Sequence, residues 1–351
     1  MKKFLYRVVT DQINGWPINI LKGVLWILSC FYGVIIGIIK LLYNFGILKR
    51  QKLPCPVISV GNITLGGVGK TPLIEYVAKI LKEEGFNPVI LTRGYMGQKG
   101  QESDEAQMLK KNLENVPVLI GSNRFKNAQE FLSNNSADVF LLDDGFQHWT
   151  LFRDMDIVAL DATNPWGNKH LIPRGILREP LSALSRANIF ILTKTDLARS
   201  NVVIVRDRLR LLGQNKLIVE TIHEPKCLRD LKSQRKMDLS TISSKRVCML
   251  SSIGDPQSFE NMLTQLGASV QENFSFMDHH VYTQEQIEQL VKYCEGHHIP
   301  FVVTTQKDAV KLDAFLNLFS DKIKVLVLEI NIVIVYGKEQ LLERIHQLLR
   351  R

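Results

Sequence analysis

The sequence has little cysteine and no C-x-x-C pair. Cys30, Cys55, Cys227, Cys248 and Cys294 are odd in number and widely spaced, which excludes a disulfide framework, argues against a cysteine-based zinc site and indicates a reducing compartment. Four of the eight histidines fall in doublets, His279-His280 and His297-His298, and neither doublet has zinc-ligand spacing. No internal repeat and no low-complexity tract is visible. With 45% apolar and 23% charged residues, disordered and fibrous classes are excluded, and 351 residues allow roughly two domains. The N-terminus is short of acid: in residues 1–53, Lys2, Lys3, Arg7, Lys22, Lys40, Lys49, Arg50 and Lys52 face only Asp11. This segment therefore holds +7 of the chain's +9. The rest is close to neutral, so the folded body lacks the basic face that a nucleic-acid partner demands.

What the N-terminus has instead is apolar length. Gly23 to Ile39 carries no charge and covers about 25 Å as a helix, a little short of a hydrocarbon core. It lies too far in, and lacks the small-residue cleavage site, for a secretory signal. Trp16, Trp26, Tyr32 and Tyr43 mixed with Lys and Arg suit a membrane interface. Membrane contact is the expectation, and both a span and a helix lying in the interface fit the pattern.

Past Pro54 and Pro56, the run PVISVGN (56–62) reads as a buried strand and TPLIEYVAKILKEEG (71–85) as a helix closed by Gly85. Strands follow at 88–95, 116–121, 138–145, 156–162 and 187–196, with helices at 104–113 and 123–134 between them. Strands alternating with helices imply an α/β fold with a mainly parallel sheet, whose ligands sit outside the strands' carboxyl ends. The polar stretch near 235 breaks this rhythm, and runs at 247–254, 258–267, 284–296, 300–308 and 324–335 form a second, smaller α/β unit. The expected organisation is an N-terminal membrane-associated helical segment (1–53), a P-loop NTPase-like core (54–235) and a smaller C-terminal α/β domain (236–351).

GNITLGGVGKTP, from Gly61 to Pro72, joins the first of these strands to its helix. Gly66, Gly67 and Gly69, with Val68 between them, permit a tight loop whose backbone N–H groups point at phosphate oxygens. Lys70 would neutralise β/γ-phosphate charge and Thr71 would ligate Mg²⁺. The strict pattern wants glycine at 64, where this chain has Thr64, and Leu65 stands where a deviant Walker A loop has lysine. VFLLDDG (139–145) supplies Asp143 and Asp144 at a strand's carboxyl end, where carboxylates hold Mg²⁺ directly or through water. Together these predict nucleotide phosphate binding. Thr193-Lys194-Thr195-Asp196 resembles the guanine-reading motif of P-loop GTPases, so a membrane-tethered GTPase or ATPase acting on a protein partner is the alternative reading.

GNITLGGVGKTP, RGY (93–95), DDGFQH (143–148), the 167–180 stretch ending in LREP, IGDPQSF (253–259), FMDHH (276–280) and TTQKDAVKL (304–312) stand in the order seen in the tetraacyldisaccharide 4'-kinase family. The resemblance runs over nearly the whole chain. It implies an ATP- and Mg²⁺-dependent membrane kinase of lipid A biosynthesis that phosphorylates the 4'-hydroxyl of an acylated glucosamine disaccharide 1-phosphate. The expected partners are this lipid and the membrane surface, with no obligate protein partner. The catalytic domains would face the cytoplasm from the inner membrane.

Carried over by motif, the resemblance makes Asp104 and His279 a catalytic pair alongside Lys70, with His279 reaching Asp104 from the other domain. Thr71, Asp143, Asp144 and Glu105 would be metal residues. Arg93, Tyr95, His148, Arg178 and Glu179 would be active-site contacts. The family's G-D-E-P is Ser103-Asp104-Glu105-Ala106 here, and its P-D-H-H is Met277-Asp278-His279-His280. Arg174, an extra cation in the LREP stretch, is open to two readings: a contact to a substrate phosphate or a surface arginine.

Overall fold

A computed structural model describes residues 2–94, 103–113, 115–213, 215–278 and 280–350, leaving the side chains of Lys2, Lys3 and Asp104 outside that description. Tyr95 and His279 therefore lie outside the described residues. In chain order the elements are α1 (Lys2–Val9), α2 (Trp16–Asn44), β1 (Val57–Asn62), α3 (Lys70–Glu83), β2 (Pro88–Thr92), α4 (Asp104–Asn112), β3 (Val118–Ile120), α5 (Arg124–Leu132), β4 (Val139–Asp143), β5 (Met155–Asp161) and β6 (Ile189–Thr193). They continue with α6 (Arg199–Arg210), β7 (Leu217–Asp230), β8 (Lys236–Met237), β9 (Arg246–Ser251), α7 (Pro256–Gln265), β10 (Ser269–Ser275), α8 (Gln284–Gly296), β11 (Phe301–Thr305), α9 (Gln306–Leu312), β12 (Lys324–Tyr336) and α10 (Lys338–Leu349).

The chain divides into two compact units: 1–95 with 113–222 and 332–351, and 96–112 with 223–331. In the first, the parallel strand order is β7-β6-β5-β1-β4-β2-β3. β1 sits between β4 and β5. The chain leaves it toward β2 on one side and later returns to β5 on the other, so the winding reverses at β1. Ligands of such sheets bind at that reversal, beyond the strands' carboxyl ends. All six residues of β1 are buried, as the unbroken apolar run requires of a strand covered on both faces. Ile63, Phe146, Val158, Leu160, Phe190 and Leu192 form one core; Val57, Val89, Leu91, Phe140 and Leu142 form another.

The second unit carries the parallel order β10-β9-β11-β12, with β8 antiparallel to the far half of β7. Cys248, Leu250, Leu290, Val302 and Val327 lie in one of its cores, and Val247, Met249, Leu263 and Leu326 in another.

These units do not coincide with the three consecutive segments read from the sequence. α4 packs on α9 and so belongs to the second unit although it precedes most of the first in the chain. The second unit resumes within β7, at His223, before the polar stretch that suggested a boundary. The N-terminal segment is part of the first unit, because polar contacts tie it down. The Asp11 carboxylate accepts from Lys22 Nζ at 2.6 Å, Arg174 NH2 at 2.9 Å and Asn168 Nδ2 at 2.9 Å. Burial pushes that carboxyl up, but Lys22, Arg174 and Asn168 outweigh it and hold it well below the ordinary range. Arg174 is thus a clamp on the N-terminal loop.

α2 is longer than the uncharged run predicted and two-sided. Lys22, Leu25 and Ser29 are buried, while Trp26, Ile27, Phe31, Val34, Ile35 and Ile38 are exposed. It is long and apolar enough to cross a membrane. Its contacts nevertheless run along its length: Ser29 Oγ donates to Leu171 O (2.8 Å), Tyr32 Oη donates to Arg178 O (2.8 Å), and Tyr43 stacks on Trp149 with ring centroids 5.9 Å apart.

Candidate active site

The glycine loop begins at the switch strand. Gly61, one residue before the end of β1, lies against Phe146: a Cβ there would stand 2.7 Å from the Phe146 backbone nitrogen, so only glycine admits the DDGFQ turn this close. The loop closes at Gly69, which caps α3 with φ 82°, a conformation that a side chain would strain. Its floor is pinned from two directions. Leu65 N–H donates to Ile176 O (2.7 Å) and Arg178 N–H to Ile63 O (2.8 Å), while Thr193 Oγ1 donates to Val68 O (3.1 Å).

The helix opens at Lys70 rather than Thr71, which aims the Lys70 side chain back over β1. Its Nζ donates to Asn62 Oδ1 at 3.1 Å and lies 3.4 Å from Asp144 Oδ1. Asp144 sits at the end of β4 with φ 50°, a strained backbone at a site edge. Arg178 NH1 reaches both of its oxygens, at 2.8 and 2.7 Å. Burial would raise the Asp144 carboxyl, but Lys70 and Arg178 outweigh it and hold it below the usual carboxylate range. Arg178 commits only NH1 to this pairing, and its Nε–H is buried without a hydrogen-bond partner. A buried unspent donor on a cation is what an anionic ligand would satisfy.

Asp143 is directed elsewhere. It is 5% exposed, and its Oδ2 accepts from Thr92 Oγ1 at 3.0 Å. Arg124 NH2 donates to Asp143 O at 3.0 Å, and NH1 lies 2.9 Å from His148 Nδ1. Arginine only donates, so that nitrogen is the acceptor of a neutral ring. Burial first, then Arg124, Arg153 and Arg93, lower His148 to about 4. Arg93 is exposed, and its field on His148 places its charge on this side of the site. Glu179 is 1% exposed and forked by Arg186 at 2.8 and 3.0 Å. The Arg186 guanidinium also lies 4.4 Å from the Phe146 ring and 4.3 Å from Trp149. Glu179 therefore stands in the wall that joins LREP to DDGFQH.

In the second unit, Lys307 Nζ lies 2.8 Å from Asp278 Oδ1 and 3.5 Å from Glu105 Oε1. These are the chain neighbours of His279 and Asp104. Glu105 and Asp278 thus belong to one unit. Glu105 is grouped with Lys307 here, and among the described residues no three His, Cys, Asp or Glu side chains converge as a metal cluster. His280 stacks on Phe276 (4.6 Å) and pairs with Gln286 (2.9 Å). Lys194, at φ 56°, pairs with Asp161 at 2.7 Å, and Asp196 is exposed.

Asn62, Thr92, Arg124, Gln147, Arg186 and Lys307 were not singled out in the sequence. Three of them had a signal: Asn62 as the polar residue ending the strand before the glycine loop, Gln147 inside DDGFQH and Lys307 inside TTQKDAVKL.

The sequence profile described as LpxK, tetraacyldisaccharide-1-P 4'-kinase, matches residues 21–350. A tetraacyldisaccharide 4'-kinase of Halothermothrix orenii is 38% identical over 343 residues, covering 89% of each chain. A probable mitochondrial tetraacyldisaccharide 4'-kinase of Arabidopsis thaliana is 36% identical, over 81% of this chain and 79% of that one. The crystal structure of LpxK from Aquifex aeolicus in complex with ATP is similar with a TM-score of 0.73 and 30% identity, covering 94% of this chain and 99% of that one.

Proposed function

The chain belongs to the tetraacyldisaccharide-1-P 4'-kinase family, and from that premise we propose how its residues carry phosphate from ATP to the 4'-hydroxyl of a tetraacylated disaccharide 1-phosphate. One observation carries the reading: Lys70 and Arg178 converge on Asp144 at the sheet's switch point, with the Arg178 Nε–H unspent. The backbone N–H groups of the 66–71 loop and the N-terminus of α3 receive the β- and γ-phosphates. Lys70 and Arg178 neutralise the charge that spreads over the γ-phosphoryl oxygens.

Thr71, Asp143 and Asp144 are hard oxygen donors of the kind Mg²⁺ prefers. Thr92 engages Asp143, and both Asp144 oxygens face Arg178. Bound there, the ion would add positive charge along the phosphates. Asp104 takes the proton of the attacking hydroxyl, and His279 orients it. Lys307 fixes the neighbours of both, and Glu105 is assigned to this group.

α2 would lie in the membrane interface rather than cross it. Lys22, Ser29, Tyr32 and Tyr43 contact the same unit over about 30 Å of helix, and the exposed side presents Trp26, Phe31, Ile35 and Ile38 to lipid. The five free cysteines and the use of ATP support a body on the cytoplasmic side of the membrane. The deciding experiment is label transfer from γ-labelled ATP or GTP to the disaccharide acceptor in mixed micelles. ATP-driven labelling of the lipid is expected, and GTP hydrolysis independent of the lipid would overturn the proposal.

A further inference from the structure

Residues 168–178 have two faces. On one they hold the N-terminal helices: Asn168 and Arg174 bind Asp11, Leu171 O accepts from Ser29, and a Cβ on Gly33 would meet Leu171 Cδ1 at 3.0 Å. On the other they floor the phosphate loop, through Leu65 N–H to Ile176 O and a bridge between Thr64 and Leu177. Arg178 closes this segment. Its peptide is held on both sides, by its own N–H to Ile63 O at 2.8 Å and by Tyr32 Oη donating to its carbonyl at 2.8 Å. Its guanidinium then meets Asp144, 3.4 Å from Lys70.

We infer that Tyr32 is a positioning residue for phosphoryl transfer, so that α2 is part of the phosphate site and not only a membrane anchor. This rests on the reading of Lys70, Asp144 and Arg178 as the phosphate site. A long side chain reaching across a site is placed no better than the backbone that carries it, and the Arg178 backbone is anchored between the glycine loop and α2. Removing the Tyr32 hydroxyl frees one of the two anchors while leaving the ring in the helix face. An arginine whose place in the transition state is blurred lowers kcat, because that alignment is needed only there.

The test is Tyr32→Phe in the full chain, assayed for label transfer to acceptor in phospholipid vesicles. The expected result is a kcat lower by about three- to tenfold, the scale of one hydrogen bond, with acceptor KM and vesicle partitioning unchanged and a melting temperature lower by only about 2 °C. In an Arg178→Lys background, where the fork on Asp144 is already lost, Tyr32→Phe should change kcat by less than about twofold. The proposal is overturned if kcat is unchanged in an otherwise active Tyr32→Phe enzyme. It is equally overturned if the drop persists undiminished beside Arg178→Lys, or if it follows lost vesicle binding. The phosphate-site reading beneath it fails differently: Lys70→Met would then transfer label as well as the unaltered chain.

Discussion

Replacing Lys70 with methionine separates what the side chain does for the fold from what it does for the reaction. In the free protein Lys70 makes one hydrogen bond, to Asn62, and one ion pair, to Asp144. At 3.4 Å and an effective dielectric near 20, the gross attraction is about 5 kcal/mol. Most of that is offset by desolvating the ammonium of a side chain that is only 16% exposed. Removing it does not orphan the carboxylate, because Arg178 still forks Asp144. The net stability loss should therefore be about 1 kcal/mol, a shift of about 2 °C in melting temperature. In transfer, the same ammonium faces charge growing on the γ-phosphoryl oxygens, where loss of one preorganised donor costs roughly 10²–10³ in rate, about 3–4 kcal/mol. The pair of measurements is a thermal melt and kcat/KM for labelled phosphate transfer to the lipid. Transfer within tenfold of the parent would refute the reasoning, as would a fall of more than about 10 °C in melting temperature, far above the shift worked out here. Arg178→Met should invert the balance. Asp144 then keeps only the longer Lys70 contact, so about 2 kcal/mol of stability should go with the activity.

Asp196→Asn should leave the preference for ATP over GTP unchanged, since Lys194 of the TKTD sequence is spent on Asp161; nucleotide competition in the transfer assay checks it, and an altered preference would restore the guanine-reading role. His148 titrates at about 4 when folded, against about 6.5 when exposed, so the unfolded chain binds the extra proton first. Stability should fall as pH drops from about 6.5 toward 4, and His148→Gln should flatten that part of a denaturation-versus-pH curve; an unchanged slope would count against a neutral, Arg124-bonded ring. Asp104→Ala and His279→Ala should each lower kcat strongly with little change in ATP affinity, and the double variant should be far less damaged than the product of the two. Cleanly multiplying effects would separate them into independent residues.

Elements buried on both sides were legible because burial writes them as unbroken apolar runs. β1, β4 and β6 fall inside the runs at 56–62, 138–145 and 187–196, and β5 starts one residue ahead of the run at 156–162; the runs at 138–145 and 187–196 overshoot where polar residues follow the strand. α6 and β10 gave no such signal: the apolar residues of α6 are mostly bunched at 202–205, with Val203 and Ile204 exposed, and five of the seven residues of β10 are polar. The docking face of α2 was also hidden. When nearly every position is apolar, periodicity cannot mark which side meets protein and which stays exposed. What settles it is polar: Lys22, Ser29 and the Tyr32 hydroxyl point the same way.

The site divides along similar lines. The glycine loop, Lys70 and the Asp143-Asp144 turn were readable because each needs a particular residue at a fixed offset from a strand end. Arg178 was named by resemblance, yet its pairing with Asp144 spans the whole of β5 and the segment after it, a distance at which spacing carries no information. Arg186 and Lys307 are the sharper cases. Nothing local to either says which acid it binds, and those acids are Glu179 of LREP in one unit and Asp278 and Glu105 in the other. Buried Glu179 needs a countercharge, so that acid itself predicted that such a cation exists, though not which one, whereas half-exposed Asp278 and Glu105 made no such demand. Arg174 is likewise held by a distant acid. Beside the LREP motif it was open to a phosphate contact or a surface role, and it pairs instead with the one acid of the N-terminal segment, Asp11. The lone acid among eight N-terminal cations was the better clue, because a solitary carboxylate in so basic a segment marks the place where the chain is tied down.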